Sequence, residues 1–162
     1  MTVEVRAAEP VEYAAVGELC VQAYQPSGMP PEQEYWRMLR DVAGRAAGSE
    51  VWVAVDADGS LLGTVTWCGP GSPHRQISRD GEAEFRMLAV APAAQGRGVG
   101  GLLLAAVLDR ARADGCSAVV LCSAGWMTAA HRMYARAGFR RTPELDWTPA
   151  PGIHLQSFRL AL

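Results

Sequence analysis

The sequence predicts an α/β fold, and three features of its pattern support that class. Segments typical of strands and helices follow one another in the order β-α-α-β-β-β-α-β-α-β-β. A cluster of glycines joins the fourth predicted strand to a long helix. Residues 117–122 are mostly apolar and show no alternation, which is typical of a parallel strand buried on both faces. A chain of 162 residues is one ordinary domain, so we expect a single domain over residues 1–162.

The first half of the chain is predicted to hold three strands and two helices. Pro10 is well placed to open the first helix, since its fixed backbone angle suits a first helical turn. Asp56-Ala57-Asp58-Gly59 has the residues of a hairpin turn. In chain order the elements are a strand at Val3–Ala7, a helix at 10–24, a loop at 25–31, a helix at 32–47, and strands at 51–55 and Leu61–Cys68.

The second half begins with a long surface loop that is rich in glycine, proline and serine. A loop of this length in a compact domain is either mobile or functional. Gly138 fits the position that ends a helix. In chain order the elements are the loop at 69–81, a strand at 82–90, a helix at 98–113, a strand at 117–122, a helix at 128–137, and strands at 139–141 and 153–160 joined by a proline-rich connection.

Composition excludes several classes of function. The net charge of -2 argues against broad binding to nucleic acids or anionic membranes, which needs a basic excess. The four cysteines form no CxxC pair and no zinc-like spacing, which predicts free thiols in a reducing cytoplasm and no metal. No segment has the length of a membrane span or the pattern of a signal peptide. All basic Lys/Arg positions are Arg, a bias that indicates a GC-rich, bacterial genome.

The glycine cluster Gln95-Gly96-Arg97-Gly98-Val99-Gly100-Gly101 predicts an anion-binding turn at the start of a helix. The first N–H groups of a helix have no internal partner, and the helix dipole makes that end positive. Glycines let the backbone approach a phosphate closely, and a pyrophosphate suits such a turn. A P-loop is excluded because the chain has no Lys, and the spacing also fits a dinucleotide motif poorly. Glycines alone would fit a tightly packed corner equally well.

Two motifs resemble the GNAT superfamily of N-acetyltransferases. The first is Leu88-x-Val90-x-Pro92-x-x-Gln95-Gly96-x-Gly98-x-Gly100, and the second is Ala130-x-x-x-Tyr134-x-x-x-Gly138-Phe139. The resemblance implies a mixed central sheet with helices on both faces, in which the fourth and fifth strands splay apart. It also implies acetyl-CoA as co-substrate, with the backbone of Leu88, Ala89 and Val90 along the pantetheine. The pyrophosphate would bind at residues 95–101: Gln95, Gly96, Arg97, Gly98, Val99, Gly100 and Gly101.

The resemblance assigns Tyr134 as the acid that protonates the departing thiolate. The alternative is a tyrosine that packs its ring and hydrogen-bonds its hydroxyl. Glu84 is the candidate base for the amine proton, and a structural pair with Arg86 or a neighbouring strand is equally open. Strand alternation places Glu84, Arg86, Leu88 and Val90 on one face.

The chain departs from the family pattern at two places. It has Cys122-Ser123 where some members carry a glutamate, and Met127 where many carry an asparagine. A covalent route through Cys122 or Ser123 lacks a paired histidine, and His131 is expected on the solvated side of its helix.

We therefore expect an N-acetyltransferase that moves an acetyl group to a primary amine by direct attack. The acceptor is a small molecule or a protein, and residues 25–31 and 144–147 are the regions where the family places its acceptor groove. Homodimers are common in the family, so the resemblance is compatible with a homodimer. The alternative function is a non-catalytic acyl-CoA sensor of the same fold.

Overall fold

The computed structural model describes residues 2–25 and 34–162. Its strands are β1 (Val3–Ala7), β2 (Glu50–Asp56), β3 (Leu61–Cys68), β4 (Ala83–Val90), β5 (Ala118–Ala124), β6 (Arg140–Arg141), β7 (Trp147–Ala150) and β8 (Ile153–Ala161). Its α-helices are α1 (Tyr13–Tyr24), α2 (Glu34–Arg40), α3 (Val42–Gly48), α4 (Val99–Ala113) and α5 (Thr128–Arg136). Most predicted elements are present, with ends displaced by a residue or two.

The strands of the described ranges form one mixed sheet in the order β1-β2-β3-β4-β5-β8-β6, with β7 on β8. Every pair is antiparallel except β4 and β5, which run parallel. The buried, non-alternating segment that the sequence marked as a parallel strand is β5, and it lies in the middle of the sheet. The predicted α/β class with a mixed sheet is confirmed.

Helices cover both faces of this sheet, as predicted. On one face α4 packs through Leu103, Leu104 and Val107 against the central strands, and α5 adds Tyr134 to the same core. On the other face α1 and α2 pack through Leu19, Trp36 and their neighbours, and α3 closes the end over β2. Within the described ranges, no helix has the length and apolar character to cross a bilayer.

The prediction of a single helix over residues 32–47 is wrong, because the helix is interrupted at Asp41, between α2 and α3. The Asp41 carboxylate accepts a hydrogen bond from the backbone N–H of Gly44 at 3.0 Å and so caps the N-terminus of α3. Asp competes for backbone N–H groups in this way, which favours helix ends over helix interiors. Residues 32 and 33, and most of the loop at 25–31, lie outside the described residues.

The connection before β8 contains more structure than its prolines suggested. It includes the short strand β7, paired with β8. Asp146 fixes the start of β7, since its carboxylate accepts hydrogen bonds from Arg141 at 2.7 Å and from the backbone N–H of Ser157 at 2.8 Å. Hydrogen bonds from a guanidinium and a backbone N–H to a carboxylate are strong. The proline content of the connection gave no indication of them.

Candidate active site

The candidate site lies where β4 and β5 separate. Their parallel pairing covers only Ala83–Val119 and Glu84–Val120, whereas each strand continues for several residues beyond these pairs. The backbone groups that face the gap have no ladder partner on the neighbouring strand. Buried groups of this kind need a hydrogen-bonding partner, and an extended ligand can provide one. The splay that the family resemblance implied is therefore present.

A bulge at Met87 reshapes β4 beside the gap. Met87 has a φ of 53°, a left-handed value that is uncommon for a residue with a side chain. The register against β3 shifts there, with Thr66 opposite Arg86 but Thr64 opposite Ala89. One extra residue reverses the side-chain alternation that follows it.

The bulge corrects one prediction from the sequence. Leu88 packs with Phe85 in the core under α4, whereas Met87 packs on the opposite face with α1 and α2. Glu84 and Arg86 therefore do not share a face with Leu88 and Val90. Strand alternation could not predict this, because a bulge depends on the neighbouring strand and leaves no reliable sequence pattern.

A groove of about 840 Å³ runs from the gap to the start of α4. Most of the predicted cofactor-binding residues line it: Leu88, Ala89, Val90, Gln95, Gly96, Gly98, Val99, Gly100 and Gly101. Arg97 is exposed and is not among the described residues that line the groove. Helix α5 supplies the opposite wall, through residues that include Ala130 and Met133.

Two glycines shape the turn at the phosphate end of this groove. Gly96 and Gly98 have φ values of 76° and 79°, and Gly98 is the N-cap residue of α4. A side chain in this conformation is strained, so these positions favour glycine. The backbone N–H groups of the first turn of α4 are at the groove, where they can bind an anion.

Tyr134 lies at the other end, in a cavity of about 40 Å³ inside the gap. Leu88 and Met127 line both this cavity and the groove, so the two spaces are neighbours. The Tyr134 ring packs against Phe85 and Phe158 at centroid distances of 5.8 Å, and Tyr134 is 3% exposed. Burial raises the pKa of Tyr134, so its hydroxyl keeps its proton and can act as a donor. It has no hydrogen bond to any residue in the described ranges, which is unlike the packing role left open from the sequence.

Glu84 is fully buried at the start of the gap, and its carboxylate is occupied by the loop that precedes β4. It accepts hydrogen bonds from the backbone N–H groups of Gln76, Ile77 and Ser78 at 3.0 to 3.1 Å. No ion pair with Arg86 is found among the described residues. The structural role left open from the sequence is supported, but its partners are backbone amides, not a side-chain cation. The loop at 69–81 is thereby fixed over the strand.

Ser123 and His131 form a pair that the sequence analysis missed. The ring Nε2 of His131 lies 3.0 Å from Oγ of Ser123, and Ser123 lines the Tyr134 cavity. His131 is half-buried beside Phe158, so the prediction of a solvated side chain is wrong. Burial lowers the pKa of His131, which favours the neutral imidazole. The i, i+8 separation spans a strand end and a helix start, so neither helical nor strand spacing indicated it.

Tyr24 is a second residue that the sequence left unassigned at the site. Its hydroxyl donates to the backbone carbonyl of Leu88 at 3.2 Å, which ties α1 to the strand just after the bulge. Tyr24 also lines the Tyr134 cavity. Its spacing in the first helix predicted only a packing residue, because the contact spans 64 positions of sequence.

Residues 14–139 match the sequence model of the acetyltransferase (GNAT) family. The chain belongs to the GNAT acetyltransferase family. Because this match covers most of the chain and contains both motifs, it supports acetyl-CoA as the ligand of the groove. The same range includes the bulge, the splayed strands and Tyr134.

Curated relatives of the chain include a mycothiol acetyltransferase and an N-acetylaspartate synthetase. The chain is 38% identical over 116 residues to mycothiol acetyltransferase of Cellulomonas flavigena. This match covers 66% of this chain and 33% of that protein. It is 33% identical over 108 residues to N-acetylaspartate synthetase of Homo sapiens, covering 67% of this chain and 33% of that protein. The chain thus spans about a third of the length of these relatives.

Solved structures of GNAT proteins share the fold over nearly the whole chain. A GCN5-related N-acetyltransferase from Kribbella flavida is 28% identical, with a TM-score of 0.68 over 99% of this chain and 98% of that one. The yncA protein of Salmonella typhimurium, solved with acetyl-CoA, is 23% identical, with a TM-score of 0.68 over 100% of this chain and 95% of that one. At 23% identity the likeness shows the fold, and the bound acetyl-CoA is a property of that protein.

Proposed function

We propose that this GNAT protein is an acetyl-CoA-dependent N-acetyltransferase that acts on a primary amine by direct attack. The observation that carries the proposal is that the groove and the Tyr134 cavity are neighbours that share the lining residues Leu88 and Met127. An anion-binding turn lies at one end of this pair and a proton donor at the other. Coenzyme A has the same order, with its pyrophosphate and thiol joined by the pantetheine arm.

The binding step follows from the lining residues. Backbone N–H groups at residues 95–101 bind the pyrophosphate, and the edge of β4 at Leu88, Ala89 and Val90, which has no partner strand in the described ranges, accepts the pantetheine as an added strand. This arrangement brings the thioester to the Tyr134 cavity. No metal is required, since the phosphate charge is met by backbone N–H groups and the helix dipole.

The chemical step is attack of the neutral amine on the thioester carbonyl. The nitrogen forms a bond to the carbonyl carbon, the carbon–sulfur bond breaks, and Tyr134 gives its proton to the departing thiolate. A base takes one proton from the nitrogen. Glu84 stays the predicted base, and Ser123 with His131 is the other candidate because Ser123 lines the cavity and lies 3.0 Å from the His131 ring.

Direct attack is favoured over a covalent acetyl-cysteine intermediate at Cys122. Burial raises the pKa of the Cys122 thiol, so the reactive thiolate is disfavoured. The sequence argument against Ser123 was that no histidine is paired with it, and that argument is wrong because His131 is 3.0 Å away. Release of coenzyme A from acetyl-CoA without an acceptor measures this route, and direct attack predicts no burst.

Tyr134→Phe tests the proposal, with Tyr13→Phe as a matched control outside both cavities. Loss of a general acid lowers rates by about 100-fold or more, so we expect that fall in kcat with little change in the KM for acetyl-CoA. Coenzyme A release is measured across amines, aminoglycosides and peptides. Undiminished turnover by Tyr134→Phe would refute the acid role. Binding of acetyl-CoA without turnover of any acceptor would favour the sensor function.

The remaining expectations stay predictions of the sequence. They are a cytoplasmic location, a bacterial source, a homodimer, an organisation as one domain and the absence of nucleic-acid or membrane partners. The acceptor is a small molecule or a protein amine.

A further inference from the structure

Arg86 places an uncompensated cation in the cavity that contains Tyr134. Its side chain is half-buried and lines this cavity together with Tyr35 and Met38 of α2. Its guanidinium donates to the backbone carbonyl of His74 at 3.3 Å and lies 4.0 Å from the sulfur of Met38. A guanidinium has five N–H donors, so these contacts leave most of its donors available to a ligand.

The described residues supply no carboxylate for Arg86. The arginines that form ion pairs with acids in these ranges are Arg6, Arg37, Arg40, Arg75, Arg110, Arg112, Arg141 and Arg159. The acid two positions before it, Glu84, accepts three backbone N–H groups instead. A half-buried charge without a partner is costly, and residues that carry such a cost are commonly retained for a ligand.

The rest of the cavity also suits an anionic group. Tyr35 lines it, and burial raises the pKa of this tyrosine to about 12, so its hydroxyl stays protonated and can donate. Gln76 lines the same cavity from the fixed loop. No Asp or Glu is among its described lining residues. Aromatic, apolar and cationic groups therefore surround a small space of about 40 Å³.

We propose that the amine acceptor carries a carboxylate and that Arg86 binds it, so the substrate class is a small amino acid or a similar amino-carboxylate. This inference rests on the proposed acetyltransferase function. Arg86 and Tyr134 line the same cavity, so one small molecule can place its carboxylate at Arg86 and its amine towards the thioester. Arginine suits this role because its planar fork binds both carboxylate oxygens.

Paired acceptors test the proposal. Each amino acid of a panel is compared with its own amide, which keeps the amine and removes the negative charge. Charge-assisted hydrogen bonds imply that wild-type protein prefers the acid by about 10- to 100-fold in kcat/KM. Arg86→Gln brings the acid-to-amide ratio to about one, and Arg86→Lys gives an intermediate ratio. Arg75→Gln, a change in the loop at 69–81 and outside the cavity, keeps the wild-type ratio.

A binding measurement makes the result independent of turnover. N-acetyl amino acids and their amides are titrated by calorimetry into wild-type and Arg86→Gln protein that is saturated with coenzyme A. The proposal is supported if wild-type protein binds the acids more tightly than the amides and Arg86→Gln protein does not. This holds even if every amine in the panel fails as a substrate and the proposed function is refuted. Equal affinity for acids and amides, or a preference for phosphate-bearing compounds over carboxylates, would overturn it. Thermal melting verifies that both Arg86 variants are folded.

Discussion

Replacing Glu84 by Gln separates its two roles, as base or as structural anchor of the loop. Oε1 accepts from the N–H groups of Gln76, Ile77 and Ser78, each at 3.0 Å, and Oε2 accepts from Gln76 at 3.1 Å. Glutamine keeps one oxygen for the three donors but removes the negative charge. Its amide NH2 then faces the N–H of Gln76, where two donors oppose each other.

The expected loss of stability follows from these contacts. A hydrogen bond to a charged acceptor contributes about 1 kcal/mol more than a neutral one, which gives roughly 3 kcal/mol for three donors. Removing a buried charge recovers part of its desolvation cost. The net expectation is a loss of about 2 kcal/mol in the free energy of unfolding, or about 4–8 °C in Tm for a chain of this size.

Urea denaturation and steady-state kinetics are measured on the same preparations, with the exposed Glu4→Gln as control. If Glu84 is the anchor, stability falls by the stated amount and kcat falls less than 10-fold. If stability stays within about 0.5 kcal/mol of wild type while kcat falls 100-fold or more, the anchor reasoning is refuted and Glu84 is the base. His131→Asn completes the comparison, since loss of kcat there assigns the base to the Ser123 pair.

Two further predictions concern the glycine turn and the N-terminal ion pair. Gly98→Ala forces a side chain into a left-handed conformation, so it should lower the free energy of unfolding by about 1–2 kcal/mol and raise the KM for acetyl-CoA. Gly101→Ala is the matched control, because it lies inside α4 with open space around the new Cβ. It should stabilise the helix by up to about 1 kcal/mol. Urea denaturation checks both, and a Gly98→Ala variant as stable as wild type would contradict the strain. The hydrogen bonds from Arg6 lower the pKa of Glu12 from 4.5 to about 2, so this pair stabilises the fold above pH 4.5 and loses that effect as pH falls towards 2. Glu12→Gln should flatten the pH dependence of Tm in that window, and an unchanged profile would show that the pair contributes nothing.

Local pattern predicted most of the secondary structure and the cofactor end of the site. The turn at residues 95–101 was predictable because left-handed backbone and an open helix N-terminus both favour glycine. The break at Asp41 was missed because its cap competes with an otherwise continuous helical pattern. The bulge at Met87 was missed because it belongs to the pairing of two strands.

The catalytic end was less predictable, for the same physical reason. Tyr134 was assigned by resemblance, and the structure adds that it lines the cavity and makes no hydrogen bond in the described ranges. Glu84 was recognised as a buried charge, but its partners are backbone amides of the loop at 69–81. The sequence of that loop does not indicate which of its N–H groups face Glu84. The pairing of Ser123 with His131 was missed because helical spacing placed His131 on the solvated side of its helix.

By itself, the sequence determined the α/β class, the glycine turn for an anion and the GNAT resemblance, because each depends on residues close together in the chain. Only the tertiary structure decided which charges are compensated. Whether a carboxylate such as Glu84 is satisfied, or a guanidinium such as Arg86 is left for a ligand, depends on atoms that distant segments bring within about 3 Å. A hydrogen bond or an ion pair is a property of that distance, and the linear order of residues does not contain it.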